Sequence, residues 1–252
     1  MLHGKRGLVV GIANDQSIAY GCAAKLRAFG ADLAITYLNA KAERVVRPLG
    51  MDLGADLILP LDVEQPGQMQ AVFDRIGDAW GGLDFVIHSI AFAPRADLHG
   101  RVVDVSLDGF QQAMRVSCYS FIEMARLAEP LMRPGGSLVT MSYYGADKVV
   151  GNYNLMGPVK AALEASVRYL AHDLAPRGIR TYAVSPGPLR TRAAGGIARF
   201  DDLVESAVQR APARRLVDIA EVGRVVAFLV GGAASGITGD TIFVDGGLHN
   251  VA

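Results

Sequence analysis

A phenol and an amine stand seven residues apart in the stretch SYYGADKVVGNYNLMGPVK, residues Ser142 to Lys160. Tyr153 can donate a hydrogen bond or a proton, and Lys160 carries a charge that would favour a developing anion. In a helix, seven residues are nearly two turns, so both side chains would share a face at about 10 Å of rise. Tyr143 and Tyr144 precede them. The alternative for Lys160 is a lysine that only extends its ammonium to the surface.

The composition is that of an ordinary globular protein. The 252 residues include 25 basic and 25 acidic side chains, and 51% are hydrophobic. This balance gives no field that would attract nucleic acid or a membrane surface. Cys22 and Cys118 flank no histidine cluster, so we expect buried free thiols and no metal site. Because no apolar run could cross a bilayer and the N-terminus has no signal-peptide pattern, we expect a cytoplasmic protein.

Short apolar runs alternate with longer amphipathic stretches along the chain. Seven runs predict strands, namely RGLVVGI, ADLAITY, ADLILPLDV, LDFVIHSIA, GSLVTMS, IRTYAVS and TIFVDGG. Strands that alternate with helices form βαβ units and a mainly parallel sheet. Runs that are apolar throughout indicate helices on both faces. The sequence therefore predicts an α/β fold, a single Rossmann-type doubly wound domain over residues 1–252 with a seven-stranded, mainly parallel sheet.

Three successive strand ends carry residues suited to a nucleotide. Gly11 in GIANDQSIAYG would let a pyrophosphate approach the backbone, and Ser17 could cap the next helix or offer its hydroxyl. The turn lacks the three-glycine fingerprint, and an ordinary βα turn explains it equally well. Asp62 could bond an adenine amino group or cap a turn, and HSIA, residues His88–Ala91, ends the fourth run. Together the three ends predict nucleotide binding.

An irregular stretch, SPGPLRTRAAGGIARF, follows the sixth predicted strand. It contains two prolines and three glycines and lies beyond the carboxyl end of the sheet. Ligands of doubly wound folds bind at that edge. We therefore expect a substrate-binding loop and helix at about residues 185–212, able to close over the site. A connection without a role is the alternative.

The whole chain resembles the short-chain dehydrogenase/reductase superfamily. Most members carry Tyr-x-x-x-Lys on this helix, with a serine thirteen residues before the tyrosine. Here Met156 occupies the usual tyrosine position and Tyr143 the usual serine position, so the pair is Tyr153-x6-Lys160. With HSIAFAP, SYYGA, NYNLMG, VKAALEASVRYLA and TGDTIFVDGG, this arrangement resembles the bacterial NADH-dependent enoyl-acyl-carrier-protein reductases. AMRVSCYSF lacks the asparagine of classical members, which disfavours a ketone reductase.

This resemblance implies reduction of the C2=C3 double bond of a trans-2-enoyl thioester in type II fatty-acid synthesis. Hydride goes to C3, while negative charge develops on the carbonyl oxygen. A tyrosine hydroxyl displaced along the helix from the usual position can reach that oxygen. Tyr153 is then the donor that stabilises the enolate. Lys160 would bond the nicotinamide ribose and hold positive charge nearby. Tyr143 would be a second active-site tyrosine that shapes the acyl pocket, and Tyr144 is expected to be structural.

The resemblance also implies the ligand contacts. Ala93 would contact substrate, and the cofactor would contact Gly11, Ser17, Ile18, Leu38, Asp62, Val63, Ile90, Lys160, Leu189, Arg190, Thr191, Arg192 and Ala193. No acidic residue follows AITYLN to read the ribose 2′-hydroxyl, and Lys41 and Arg44 could meet a 2′-phosphate. We expect NADH, with NADPH as the alternative.

The expected partners are an acyl carrier protein and, by resemblance, further copies of the chain in a homotetramer. Arg210–Arg215, RAPARR, could meet the acidic carrier or be merely solvated. His88 is expected to be a packed or hydrogen-bonded histidine, because no second metal ligand has suitable spacing. Two other functions stay open: a related reductase acting on a ketone or another activated alkene, and a catalytically silent nucleotide-binding regulator.

Overall fold

A seven-stranded, entirely parallel sheet forms the centre of the computed structural model, which describes residues 1–191 and 194–251. The strands are β1 (Arg6–Val10), β2 (Asp32–Tyr37), β3 (Leu57–Pro60), β4 (Phe85–His88), β5 (Gly136–Met141), β6 (Ile179–Pro186) and β7 (Thr241–Val244). Their order is β3-β2-β1-β4-β5-β6-β7. The order reverses between β1 and β4, which leaves a crevice at the carboxyl edge, where doubly wound folds bind ligands. The predicted fold class is confirmed.

Helices pack on both faces of this sheet. They are α1 (Ile18–Ala28), α2 (Ala40–Asp52), α3 (Gln68–Trp80), α4 (Arg95–Leu98), α5 (Leu107–Met114), α6 (Ser120–Ala128), α7 (Met156–Leu174), α8 (Phe200–Arg210) and α9 (Ile219–Val230). Successive strand residues point to opposite faces, so Val9 packs in one hydrophobic cluster with α1 and α9, while Leu8 and Val10 pack in the other with α3, α6 and α7. Both clusters are buried, which explains why the strand sequences are apolar throughout.

Helix α9 has no counterpart in the sequence interpretation. It packs against α1, where Gly223 lies so close that a Cβ would come within 2.4 Å of the Gly21 carbonyl oxygen. A capping box begins this helix: the Asp218 carboxylate accepts from the Glu221 amide, and the Glu221 carboxylate accepts from the Asp218 amide. That pattern of an acidic residue followed three residues later by glutamate is the sequence signal that could have identified it.

The amphipathic stretch FQQAMRVSCYSFIEMARLAEPLM does not form one continuous α-helix. A π-helical turn, Arg115–Tyr119, separates α5 from α6. The bulge aims Ser117 at the segment after β4, where its hydroxyl accepts from the Phe92 amide at 2.9 Å and donates to the Phe92 carbonyl at 3.0 Å. Such bulges are frequent at functional sites. Here the bulge holds the backbone of one wall of the candidate site.

Both cysteines, Cys22 and Cys118, are buried free thiols, as the sequence predicts. None of the helices within the described ranges is long and apolar enough to span a membrane.

Candidate active site

A mostly apolar cavity of about 450 Å³ opens at the carboxyl edge of the sheet. Its wall comes from the ends of β4, β5 and β6, the start of α7 and the segment that leads into α8. Eight of the residues singled out in the sequence line it, namely Ile18, Ile90, Ala93, Tyr143, Tyr153, Lys160, Leu189 and Thr191. The fold therefore joins residues from five separate parts of the chain in one concave site, which is the usual form of a ligand pocket.

Six other predicted contact residues do not line this cavity: Gly11, Ser17, Leu38, Asp62, Val63 and Arg190. The first five follow β1, β2 and β3, so they lie along the same edge of the parallel sheet, on the far side of the crevice. Arg190 is exposed and forms an ion pair with Asp201 at 2.6 Å. Arg192 and Ala193 lie outside the described residues.

The close approach of two chain segments at the crevice requires a glycine at position 11. Its φ is +109°, and a Cβ there would come within 2.1 Å of the Ser89 carbonyl oxygen. The chain after β1 therefore passes directly against the chain after β4. This close approach accounts for the glycine without any ligand, and it also leaves the backbone of the turn uncovered by a side chain.

Ser17 does not cap its helix. Its hydroxyl accepts from the Ala13 and Asn14 amides, both at 3.0 Å, and makes no side-chain bond to the first turn of α1. Of the two roles that the sequence left open for Ser17, the helix cap is therefore wrong, because the hydroxyl closes the preceding turn. The first-turn amides of α1 have no side-chain cap, which suits an anionic group at the helix N-terminus.

The residues that were expected near the adenosine of a cofactor offer few free polar groups. Leu38 is 55% exposed after β2 and presents no polar side-chain atom. The Asn39 side chain accepts from the Lys41 and Ala42 amides, so the N-terminus of α2 is already capped. The Asp62 carboxylate accepts from the Glu64 amide at 3.0 Å, which is the turn-capping alternative.

Tyr153 and Lys160 do not share a helix. They were expected to lie on one helical face, but α7 begins at Met156, and Tyr153 lies in the turn before it. Asn152 and Asn154, on either side of the tyrosine, have φ values of +63° and +41°, a left-handed conformation that ends regular helix. The argument from helical rise is therefore wrong, yet the turn directs Tyr153 into the cavity that Lys160 also lines.

Lys160 is held by the backbone of β5. Its side chain is buried, and Nζ donates to the Met141 carbonyl at 2.7 Å. Burial lowers the pKa of Lys160 to about 8, and the nearby Cys118 and Glu164 partly oppose this shift. An ammonium has three donors, and this bond uses one, so the remaining two can serve a ligand at the cavity surface.

The two tyrosines on the wall form an edge-to-face pair. The rings of Tyr143 and Tyr153 lie 4.9 Å apart at 61°. Burial raises the pKa of both phenols, which keeps them protonated and able to donate. The Tyr143 hydroxyl is buried and has no partner among the described residues. A buried polar atom without a partner at a cavity wall marks a place for a ligand oxygen.

Tyr144, which was expected to be structural, packs edge-to-face on the other side of this pair, with its ring centroid 4.7 Å from that of Tyr143. Its ring packs against Ala207, Ala211 and Leu248. It does not line the cavity.

His88 is an interior histidine, as predicted. Nδ1 lies 2.8 Å from the Thr140 hydroxyl, and Nε2 lies 2.8 Å from the Ser120 hydroxyl. Burial, with a contribution from the Lys160 charge, lowers the pKa of His88 to about 3. The ring is therefore neutral, and it ties β4 to β5 and α6.

Sequence reasoning missed Ser142 and Glu164. The Ser142 hydroxyl donates to the Glu164 carboxylate at 2.5 Å, and Ser142 also lines the cavity. Burial raises the pKa of Glu164. The available signal was spacing, since Glu164 follows Lys160 by four residues, one turn of helix.

The basic stretch Arg210–Arg215 is partly engaged within the chain. Arg215 pairs with Glu221 at 2.7 Å, and Arg210 donates to the Val251 carbonyl at 3.1 Å. These contacts differ from both expectations for those two arginines, which are neither merely solvated nor wholly available to a partner. Docking of a carrier protein there stays a prediction.

Comparison with known proteins identifies the family. A family model described as enoyl-(acyl carrier protein) reductase matches residues 11–249. The NADH enoyl-acyl-carrier-protein reductase of a Nostoc species is 47% identical over 98% of this chain and 96% of its own length. That of Rickettsia conorii is 42% identical over 99% of this chain and 96% of its own length.

A solved structure supports the same family. The crystal structure of the Anaplasma phagocytophilum enoyl-acyl-carrier-protein reductase in complex with NAD has a TM-score of 0.96 and 45% identity, covering 100% of this chain and 96% of that one. The match extends over the sheet, the cavity and the carboxyl edge alike. The chain belongs to the enoyl-(acyl carrier protein) reductase family.

Proposed function

We propose that the protein reduces the C2=C3 double bond of trans-2-enoyl thioesters by hydride transfer from NADH, as a step of fatty-acid synthesis. The observation that carries the proposal is the meeting of Tyr153 and Lys160 on one apolar cavity at the carboxyl edge of the sheet. Membership of the family supports it, as do relatives named as NADH-dependent reductases of this class.

The residues along the edge fit a dinucleotide. The amides at the start of α1 have no side-chain cap and suit a pyrophosphate. Lys160 retains two ammonium donors for the ribose hydroxyls, and Ile18 and Ile90 provide apolar contact on the crevice side of the cavity. NADH, when bound, supplies the hydride. The other proposed contacts are Gly11, Ser17, Leu38, Asp62, Val63, Leu189, Arg190, Thr191, Arg192 and Ala193.

Tyr153 is the proposed donor to the thioester carbonyl oxygen, where negative charge develops in the transition state. Because burial keeps its phenol protonated, it can donate throughout the neutral pH range. One donor of this type is typically worth about 10²–10³ in rate. Tyr143, with a buried hydroxyl that no described residue satisfies, is the proposed second donor or acyl-pocket residue. The ammonium of Lys160 adds positive charge near the same oxygen.

The apolar wall suits an acyl chain. Met156, Ile197 and Phe200 line the cavity with Ala93, the proposed substrate contact. These side chains exclude water around the reacting carbons, which strengthens the electrostatic effect of Lys160 on the developing anion.

We further propose an acyl carrier protein as the substrate's carrier, a homotetramer as the assembly and the cytoplasm as the location. Large apolar side chains on α5–α7 support an assembly, because Leu107 is 69% exposed and Tyr169 is 75% exposed. A second copy of the chain would cover such groups. Light scattering on the purified protein would measure the mass, and a monomer at micromolar concentration would contradict the tetramer.

An assay of NADH oxidation with two thioesters tests the activity. Turnover of a 2-butenoyl thioester, with little turnover of the 3-oxobutanoyl thioester, is the expected result. The opposite preference would indicate a ketone reductase. Tight NADH binding with no turnover of either thioester, or of a panel of activated alkenes, would indicate a nucleotide-binding regulator.

A further inference from the structure

The cavity has two cations on its wall, and they sit in different surroundings. Among the described residues, Lys160 and Arg95 are the charged side chains that line it. Lys160 is 4% exposed and bonded to Met141, whereas Arg95 is exposed at the start of α4. Phe92 and Gly196 beside it are also exposed. Arg95 therefore stands at the mouth of the cavity, and Lys160 at its base.

Two hydrogen bonds connect the backbone around the mouth of the cavity to neighbouring segments. His99 Nε2 lies 2.7 Å from the Gly196 carbonyl oxygen, which connects α4 to the segment before α8. Asn154 donates to the Leu98 carbonyl at 2.9 Å, which connects α4 to the turn that carries Tyr153. The backbone that carries Arg95 is thus tied to the rest of the rim on two sides.

Arg95 has no acidic partner within residues 1–191 and 194–251. The neighbouring carboxylate, Asp97, accepts from the Ser106 amide at 2.7 Å. By contrast, two arginines near the start of α8 are neutralised: Arg190 by Asp201 at 2.6 Å, and Arg199 by Asp202 at 2.5 Å. The positive charge at the mouth therefore remains available to a ligand at Arg95.

We propose that Arg95 binds the phosphate of the substrate's phosphopantetheine arm where that arm leaves the cavity. This inference rests on the proposed function. An enoyl thioester whose acyl chain fills the apolar interior must extend its pantetheine through the mouth. That arm is uncharged until its phosphate, which is the first anion outward from the thioester. A guanidinium binds phosphate oxygens through paired N–H donors, and it does so better than an ammonium.

A series of thioesters with one enoyl group isolates the phosphate. The 2-butenoyl thioesters of N-acetylcysteamine and pantetheine lack it, and that of 4′-phosphopantetheine carries it. Arg95→Met should raise KM about 5-fold to 20-fold for the phosphorylated thioester and leave KM for the other two unchanged, the range expected of a charged hydrogen bond at a partly exposed site. The coenzyme A and carrier-protein thioesters, which share the phosphopantetheine, should show the same loss.

Two control variants and one binding measurement complete the test. Arg95→Lys should recover part of the lost affinity, and Arg101→Met, which removes an exposed arginine paired with Asp104, should change nothing. NADH affinity should be unchanged in Arg95→Met. Calorimetry with the saturated butanoyl thioesters of pantetheine and phosphopantetheine gives the phosphate contribution without turnover.

Different failures have different signatures. Equal effects of Arg95→Met on all thioesters would mean a structural role, and no effect on any would mean that the phosphate is not bound there. Either result overturns the inference. A loss confined to the carrier-protein thioester would assign Arg95 to an acidic side chain of the carrier and overturn it too. If the wild type reduces no thioester, the proposed function fails, while equal calorimetric affinity for the two butanoyl thioesters would refute the phosphate site by itself.

Discussion

The Ser142 hydroxyl donates to the Glu164 carboxylate at 2.5 Å and so joins the end of β5 to the helix that carries Lys160. Met141, which precedes Ser142, accepts from Lys160, and Tyr143 follows it. Two hydrogen bonds thereby hold the end of β5, which carries the phenol of Tyr143, against the helix that carries the ammonium of Lys160.

Two substitutions of Glu164 should distinguish the contribution of its hydrogen bond from that of its negative charge. Glu164→Ala leaves the largely buried Ser142 hydroxyl without its acceptor, so we expect a loss of about 1–3 kcal/mol in the free energy of unfolding and a lower kcat. Glu164→Gln retains an acceptor and should lose less than half as much stability. Urea denaturation and steady-state kinetics would check both. Equal losses for the two variants would show that the charge matters more than the bond.

Tyr153→Phe should lower kcat about 10²-fold to 10³-fold while NADH affinity stays unchanged, because the lost hydrogen bond is made in the transition state. Stopped-flow turnover and fluorescence titration of NADH would measure the two quantities. Tyr144→Phe is the matched control, since Tyr144 does not line the cavity and phenylalanine keeps its ring contact with Tyr143. Near wild-type turnover by Tyr153→Phe would transfer the donor role to Tyr143.

Lys160→Met should weaken NADH binding as well as turnover, because the ammonium is the proposed partner of the ribose. Methionine preserves most of the side-chain volume in this buried position, so the fold should be retained. Fluorescence titration would report the dissociation constant. An unchanged value would restrict Lys160 to an electrostatic role in the reaction.

The affinity for NADH should also depend on pH. Burial lowers the pKa of Lys160 from 10.5 to about 8, so the ammonium that favours binding is present below that pH and is lost above it. We expect the dissociation constant of the wild type to rise as the pH increases from 7 to 9. In Lys160→Met the same titration should be flat. A wild-type affinity that is constant over this range would contradict the assignment.

The segment that leads into α8 should become more protected when ligands bind. Ala194–Gly196 contains small residues, while Ile197 and Phe200 line the cavity, so ligand contact would order a segment that buries little area by itself. Hydrogen exchange would show slower exchange across residues 194–210 in the ternary complex than in the free protein. The peptide of β6 provides the internal control, and identical exchange in both states would refute closure.

Local patterns were sufficient for the strands, most of the helices and the choice of candidate residues. An apolar run that is buried on both faces carries its signal in consecutive residues, and each of the seven predicted runs contains a strand. Five of the seven runs were predicted too long at their carboxyl ends. Asp62 follows β3 by two residues, and Ile90 follows β4 by two, because the strands stop where pairing with neighbours stops. In the other direction, β6 extends one residue past the predicted run, to Pro186, which was expected in the loop.

Other features depended on contacts between residues far apart in the chain. The left-handed backbone at Asn152 and Asn154 removes Tyr153 from the helix that its sequence pattern predicts. The π-helical turn exists where Ser117 meets Phe92, 25 residues earlier. Arg95 has no acidic partner within the described residues, and the neighbouring Asp97 carboxylate accepts from the Ser106 amide instead. Residue type and the resemblance to a family could therefore single out Tyr153 and Lys160 as candidates, although the helical spacing assumed between them was wrong. Only the contacts between the end of β5 and α7 decided how they face one cavity, because hydrogen bonds between distant segments leave no regular spacing in the sequence.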